Sequence, residues 1–222
     1  MGLRINTNTA AINASRVLAR STKQLNKALE QLSSGLRINR ASDDAAGLAI
    51  AEGFNSVVRG TRVAQRNAQD GVSLMQTAEG ALSETTNILQ RIRELAVQSA
   101  NGTMTTANRA ALQAEVTQLL EQIDDIASDT EFNGLRVLSA AQTITLQAGP
   151  QAGQTLQLQL SGAKASDIGV SSVSISSQDA AVSALSILDL AINSVSSLRA
   201  TLGAFQNRLA FPINTLAIQE AN

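Results

Sequence analysis

The sequence predicts a mainly α fold: a long antiparallel helical rod, coiled-coil-like in its packing, with a small β-hairpin region and a separate N-terminal helix. Three observations predict it. Apolar residues recur at helical spacing over most of the chain. Only two prolines, Pro150 and Pro212, interrupt 222 residues. The apolar content of 44% comes from Ala, Leu, Ile and Val, with aromatics at 2%: four Phe, no Trp and no Tyr. Small aliphatic side chains suit narrow helix–helix seams better than a wide globular core, which usually contains large rings.

The elements follow in order. From about residue 5 to 33, Leu18, Leu25 and Leu32 lie seven apart, and Leu25, Leu29, Leu32 and Leu36 step by four, three and four. That is a narrow apolar stripe on one helix. Ser33-Ser34-Gly35 supplies its stop, because Gly tolerates the left-handed conformation at a helix end. A second helix starts at Ala41-Ser42-Asp43-Asp44, where Ser42 or Asp43 can cap. It runs from about 44 to 100, about 84 Å long at 1.5 Å per residue. Its seam is Leu74, Ala78, Ala81, Thr85, Ile88, Ile92, Leu95 and Ser99. Gly47, Gly53, Gly60, Gly71 and Gly80 each weaken a helix interior by about 1 kcal/mol against Ala, so bends or close packing are expected there.

Asn101-Gly102-Thr103 is a turn signal. A third helix, about 105 to 129, carries the seam Leu112, Val116, Leu119, Ile123 and Ile126, and the short connection makes it antiparallel to the second. Asn133-Gly134 is another turn. Between 137 and 176 the period falls to two: Thr143 to Gln147 alternates, Ala148 to Gly153 turns, and Thr155 to Leu160 alternates again. This is a β-hairpin, with a further strand expected near Val170 to Ser176. A last helix, about 179 to 222, has the seam Leu185, Leu188, Ile192, Val195, Leu202, Phe205, Leu209, Ile213 and Leu216. Pro212 lies inside it at an expected cost of about 3 kcal/mol unless the helix kinks. The domain division read from this is 1–43, an N-terminal helix and spoke; 44–136 with 177–222, the long helices; and 137–176, the hairpin region.

The missing residue types exclude whole classes of chemistry. The chain has no His and no Cys. A conventional zinc site, a Ser-His-Asp or Cys-His catalytic group and a disulfide framework cannot be built. Charge is balanced, 17 basic residues against 18 acidic, which argues against a general phosphate-binding surface. Base stacking lacks aromatic platforms. Asp43-Asp44 and Asp124-Asp125 are not catalytic pairs, because adjacent helical residues diverge by about 100°. Gly149 to Gly153 lacks the Gly-Lys-Ser/Thr that completes a phosphate cradle. No metal, cofactor, nucleic acid or catalysis is expected. No apolar run approaches the ~20 residues of a membrane span, and MGLRINTNTAAINAS has no apolar block of signal-peptide type.

Several blocks are similar to bacterial flagellin: LRINTNTAAINA at 3–14, LSSGLRINRASDDAAGLAIAE at 32–52, QRIRELAVQSANGT at 90–103, FNGLRVL at 132–138, and LRATLGAFQNRL and LAIQEAN near the end. They occur in order along essentially the whole chain. The resemblance implies a structural, extracellular subunit of the flagellar filament. It would be exported through the flagellar channel without a cleaved signal, with other flagellin subunits as partners and an export chaperone or filament cap as further ones. It also implies that the terminal helices mediate assembly, which gives Leu18, Leu25, Leu29 and Leu32 a self-assembly role. Without the resemblance, this stripe reads as an ordinary amphipathic helix docked on its own core.

The chain departs from the family in three respects. Variable outer domains are missing. The chain stops at Glu220-Ala221-Asn222, where relatives continue for roughly 40 residues, about one more long helix. LAFPIN at 209–214 carries a Pro where relatives have none. The resemblance therefore implies a flagellin shortened at its C-terminus. A monomeric fragment acting as a receptor agonist or binding module, and a hook–filament junction protein, are the alternatives; QRIRELAVQSAN favours flagellin over the junction protein.

In relatives, positions matching Arg91, Leu95 and Glu115, beside Gln90, contact a vertebrate innate immune receptor for flagellin, a Toll-like receptor. Arg91 and Leu95 lie four apart on one helix face, and a turn near 103 sets 91 level with 115. Composition alone reads Arg91 and Glu115 as a cross-helix ion pair contributing about 0–1 kcal/mol. The resemblance adds a receptor-binding role, with Leu95 claimed by both the seam and the surface.

Overall fold

The computed structural model describes residues 8–222 and forms two compact units, Met1–Val57 and Val58–Asn222. Four helices and two small antiparallel sheets follow in chain order: α1 (Thr9–Ser34), α2 (Ala45–Ser99), α3 (Thr106–Asp129), β1 (Glu131–Phe132), β2 (Leu135–Arg136), β3 (Gln142–Gln147), β4 (Thr155–Leu160) and α4 (Gln178–Ala221).

In the first unit, Asn8 caps α1 by accepting from the Ala11 N–H at 3.1 Å. Residues 5–7 of the expected helix lie outside the described residues. Gly35 ends α1 at φ 70° and donates to the Gln31 carbonyl, as expected of a glycine stop. The following segment folds back on the helix end. Asn39 donates to the Glu30 carbonyl at 3.3 Å, Arg40 pairs with Glu30 at 2.8 Å, and Lys27 pairs with Asp43 at 2.8 Å. The Lys27 hydrogen bond holds the Asp43 carboxyl below the ordinary carboxylate range. Neither Ser42 nor Asp43 caps α2. Asp44 does so, accepting from the Gly47 N–H at 2.9 Å, because Asp43 is already bonded by Lys27 and by the N–H groups of Asn39 and Arg40.

The second unit is ordered by polar cross-links that fix helix direction. On one side of α2, Arg93 pairs with Asp189, Glu79 with Gln206, and Arg62 with Glu220. Rising numbers on α4 meet falling numbers on α2, so the two run antiparallel. Arg91 meets Glu115, and Arg109 donates to the Ser99 carbonyl at 2.9 Å, so α3 also runs antiparallel to α2, as the turn length predicts. With two partners, α2 buries more than the single seam. Met75, Leu82, Leu89 and Ala96 form a second buried row beside Leu74, Ala78, Thr85, Ile92, Leu95 and Ser99.

The hairpin β3–β4 pairs Gln142 with Leu160 through Gln147 with Thr155. Its period-two face, Leu156, Leu158 and Leu160, is buried as alternation requires. It rests on the lower part of α2, where two glycines receive it. A Cβ on Gly60 would stand 3.0 Å from Pro150 Cβ, and one on Gly71 would stand 2.5 Å from Leu146 Cδ1. Gly53 and Gly80, in contrast, have open space around them.

Three expectations change. Asn133-Gly134 is more than a turn: both residues have positive φ, 53° and 76°, and close the short hairpin β1–β2. The segment 170–176 is not a strand. Val170, Val173 and Ile175 are buried, but local turns and side chains use their backbone groups: Val170 N–H donates to the Ala165 carbonyl, and Ile175 N–H donates to Gln113 Oε1 at 2.6 Å. Finally, α4 contains a stretch long and apolar enough to cross a membrane by length and composition. The sequence contains no unbroken apolar run because polar residues alternate through it. Leu188, Val195 and Leu202 lie in the main core, so packing within this chain also accounts for the composition. Pro212 sits inside α4, which continues to Ala221.

Candidate recognition and assembly surfaces

Arg91 projects from α2 towards α3. Its Nε and Nη2 donate to Glu115 Oε1 at 3.0 and 2.8 Å, while Nη1 donates to Glu94 Oε2 at 3.2 Å. The Glu115 hydrogen bond, then that to Glu94, raises the Arg91 pKa above its ordinary value, so the guanidinium is charged throughout the working range. Gln90, Arg91, Glu94 and Glu115 are exposed. The predicted level of 91 with 115 is therefore met, and Glu94 joins the patch as a second carboxylate.

Leu95 requires a correction. It is 1% exposed and lies in the main core with Ile92, Val116 and Leu188. The α-helical period turns Leu95 about 40° from Arg91, far enough to enter the seam between α2 and its partners. In this chain the Arg–Leu–Glu surface is instead an Arg91–Glu94–Glu115 surface with Gln90 beside it.

The anchoring role of three polar residues nearby was not legible in the sequence, although Ser99 belongs to the expected seam. Ser99 donates to the Ile175 carbonyl at 2.6 Å, Gln113 accepts from the Ile175 N–H, and Asp124 accepts from the Ala165 N–H at 2.8 Å. All three tie the irregular 163–176 segment onto α2 and α3. Asp124, one of the adjacent carboxylates set aside for catalysis, thus anchors backbone.

The α1 stripe has the opposite character. No residue of Thr9–Ser34 is buried. Leu18, Leu25, Leu29 and Leu32 are exposed, Leu32 by 81%. Four leucines aligned along one face form an apolar strip of a kind that monomers rarely expose. Among the described residues no group of His, Cys, Asp or Glu is arranged to hold a metal ion.

Long helices packed through aliphatic seams, together with the uncovered leucine strip of α1, define a helical structural protein. Comparison with known proteins makes this specific. The model of the bacterial flagellin N-terminal helical region matches residues 5–143. A flagellin of Halalkalibacterium halodurans is 46% identical over 215 residues, 96% of this chain and 79% of that one. A Salmonella muenchen flagellin is 47% identical over 176 residues, and the match spans about a third of it, 34%. The crystal structure of Bacillus cereus flagellin superposes with a TM-score of 0.58 at 31% identity, covering 68% of this chain and 88% of that one. The chain belongs to the flagellin family, whose members are structural proteins, not enzymes.

Proposed function

We propose that the chain is a structural subunit of the bacterial flagellar filament, built into it with other copies of itself. The observation that carries this reading is flagellin identity along 96% of the chain. The uncovered stripe of Leu18, Leu25, Leu29 and Leu32 supports it, because such a strip gains free energy only when another surface covers it. In this reading the subunit works outside the cell, and its N-terminal blocks serve as address and as assembly element. Residues 1–43 form the inner element, the long helices carry the load, and 137–176 decorate them. An export chaperone and a filament cap are further partners of the same apolar helices.

The same reading gives Gln90, Arg91 and Glu115 a second role, as a contact for the host Toll-like receptor for flagellin. An Arg held in place by two carboxylates on a rigid helix pair is preorganised, and Arg is enriched in binding hot spots. Expression in a cell lacking its own flagellin tests the filament role: external filaments bearing this chain are expected. Retention in the cytoplasm as a stable monomer would overturn it.

A further inference from the structure

Two asparagine–glycine pairs lie in turns: Asn101-Gly102 between α2 and α3, and Asn133-Gly134 between β1 and β2. In such a pair the glycine nitrogen meets the preceding side chain with no Cβ in the way. The two pairs share a sequence but not their surroundings. Asn101 and Gly102 are exposed, and a Cβ on Gly102 would meet nothing within 4 Å. The Thr103 N–H donates to Asn101 Oδ1 at 3.1 Å, closing a local side-chain turn. The Asn101 backbone carbonyl accepts twice, from Arg109 Nη2 at 3.0 Å and from the Met104 N–H at 3.1 Å. Arg109 is itself fixed, because its Nε donates to the Ser99 carbonyl at 2.9 Å. The Gly102 N–H has no acceptor among the described residues. At the second pair, Asn133 and Gly134 are held at positive φ, and neither the side chain nor the carbonyl of Asn133 accepts a hydrogen bond among the described residues.

We infer that Asn101-Gly102 is a self-modifying site, where the α2–α3 turn activates Asn101 towards succinimide formation and hydrolysis, with water as the co-reactant. The Gly102 N–H gives its proton to solvent base, and negative charge spreads from the nitrogen onto the Asn101 carbonyl oxygen. Hydrogen bonds to a charged form favour it, and here the Arg109 guanidinium and the Met104 N–H both donate to that oxygen. The nitrogen then bonds to Asn101 Cγ. Charge passes to Oδ1, where the Thr103 N–H already donates and so serves as an oxyanion donor. The intermediate collapses, the Cγ–Nδ2 bond breaks, and Nδ2 leaves as ammonia with a proton from water. Water then adds to one of the two ring carbonyls. Breaking the bond from nitrogen to Cγ leaves an aspartate in an ordinary backbone. Breaking the bond from nitrogen to the former backbone carbonyl carbon leaves an isoaspartate, with the chain running through Cγ and an α-carboxylate set free. Overall a water is consumed and an ammonia released. The freed carboxylate stands where Arg109 already donates, so that bond becomes charge-assisted. Either product adds negative charge at the turn, and the isoaspartate also lengthens the backbone between α2 and α3. The change is irreversible and accumulates with the age of the chain.

Peptide mapping by mass spectrometry tests the site, on the purified full chain incubated in mildly alkaline heavy-oxygen water. Asn101 is expected to convert to a mixture of aspartate and isoaspartate that carries heavy oxygen, about tenfold or more faster than Asn133. Arg109→Met is expected to slow conversion of Asn101 by about tenfold, less than the hundredfold or more of an enclosed oxyanion site, because this turn is open to water. The rate at Asn133 in the same variant should match the parent, and Arg109→Lys, which keeps the cation, should recover most of the lost rate. Unfolding the parent in urea should bring the two asparagines to one rate, since their surroundings and not the pair itself make the difference. Circular dichroism checks the fold of both variants; if Arg109→Met loses helix content, the urea comparison decides. An Asn101 that stays an amide throughout would overturn the site. Equal rates at Asn101 and Asn133 in the folded chain, a rate difference that persists in urea, or an Arg109→Met variant that keeps both its helix content and its rate would overturn activation by the turn.

Discussion

Leu95→Ala separates a core residue from a surface contact. Leu95 is 1% exposed in a cluster that includes Ile92, Val116 and Leu188. Truncation removes three carbons, Cγ and its two methyls, from a buried site, so the lost transfer energy and the residual cavity add. The expected loss is about 3 kcal/mol, within the roughly 2–5 kcal/mol seen for buried Leu→Ala. Arg91→Ala breaks only exposed ion pairs and should cost less than about 1 kcal/mol. Urea unfolding followed by helix ellipticity measures both, at constant m-value. If Leu95→Ala lost receptor binding while costing less than about 1 kcal/mol of stability, the core assignment would be wrong and the side chain would belong to the surface. If binding falls in step with helix content, the loss comes from unfolding and says nothing of contact.

Other expected outcomes follow from single features. Gly71→Ala should destabilise by about 1 kcal/mol net, because contact with Leu146 outweighs the gain in helix propensity, while Gly80→Ala, in open space, should stabilise by up to about 1 kcal/mol; paired thermal melts compare them. Ser99→Ala strands the buried Ile175 carbonyl and should cost about 1–3 kcal/mol in urea. Pro212→Ala restores a helical hydrogen bond in α4 and should raise stability by up to about 3 kcal/mol. Asp43 titrates below its ordinary range, so its pairing with Lys27 is fully present above the unfolded carboxylate pKa, near 3.9, and is lost as pH falls through the lower folded value. Lys27→Met should reduce that acid sensitivity, leaving the part due to the Asn39 and Arg40 N–H groups, followed by NMR of the 35–44 segment.

The helices and the main hairpin were legible because each has one dominant period, and on β4 and α4 burial follows it, at Leu156, Leu158 and Leu160 and at Leu188, Val195, Leu202 and Leu209, whereas the α1 stripe is periodic without being buried. Gly35 was legible as a stop because only a residue without Cβ rests comfortably at φ 70°. What escaped depends on tertiary partners. Val173 and Ile175 alternate with serines as in a strand, yet a strand needs a neighbouring ladder, and here Gln113 and Ser99 take the Ile175 backbone groups instead. The choice of Asp44 over Asp43 as cap depends on Lys27, sixteen residues upstream. At the Arg91 patch, spacing predicted the Arg91–Glu115 pairing, but the burial of Leu95 depends on tertiary packing in the main core, which no local pattern reports.

The distribution of burial along α2 ties fold to assembly. None of its residues from Ala45 to Gly60 is buried, and burial begins at Thr61. Ile50, Phe54 and Val57 are exposed over that stretch, as are the α1 leucines. A helix without a packed face draws on propensity alone, whereas most helical stability in proteins comes from tertiary packing of an amphipathic face. Gly47 and Gly53 reduce that further. Apolar side chains kept at such positions gain nothing from exposure, and the filament reading proposed above gives them a cover, surfaces supplied by another copy. Burial divides the chain: from Thr61 onward α2 buries its own seams, and before that its apolar residues are exposed. Helicity of the 8–60 stretch should therefore rise with association, while the Thr61–Ala221 helices hold theirs in the monomer.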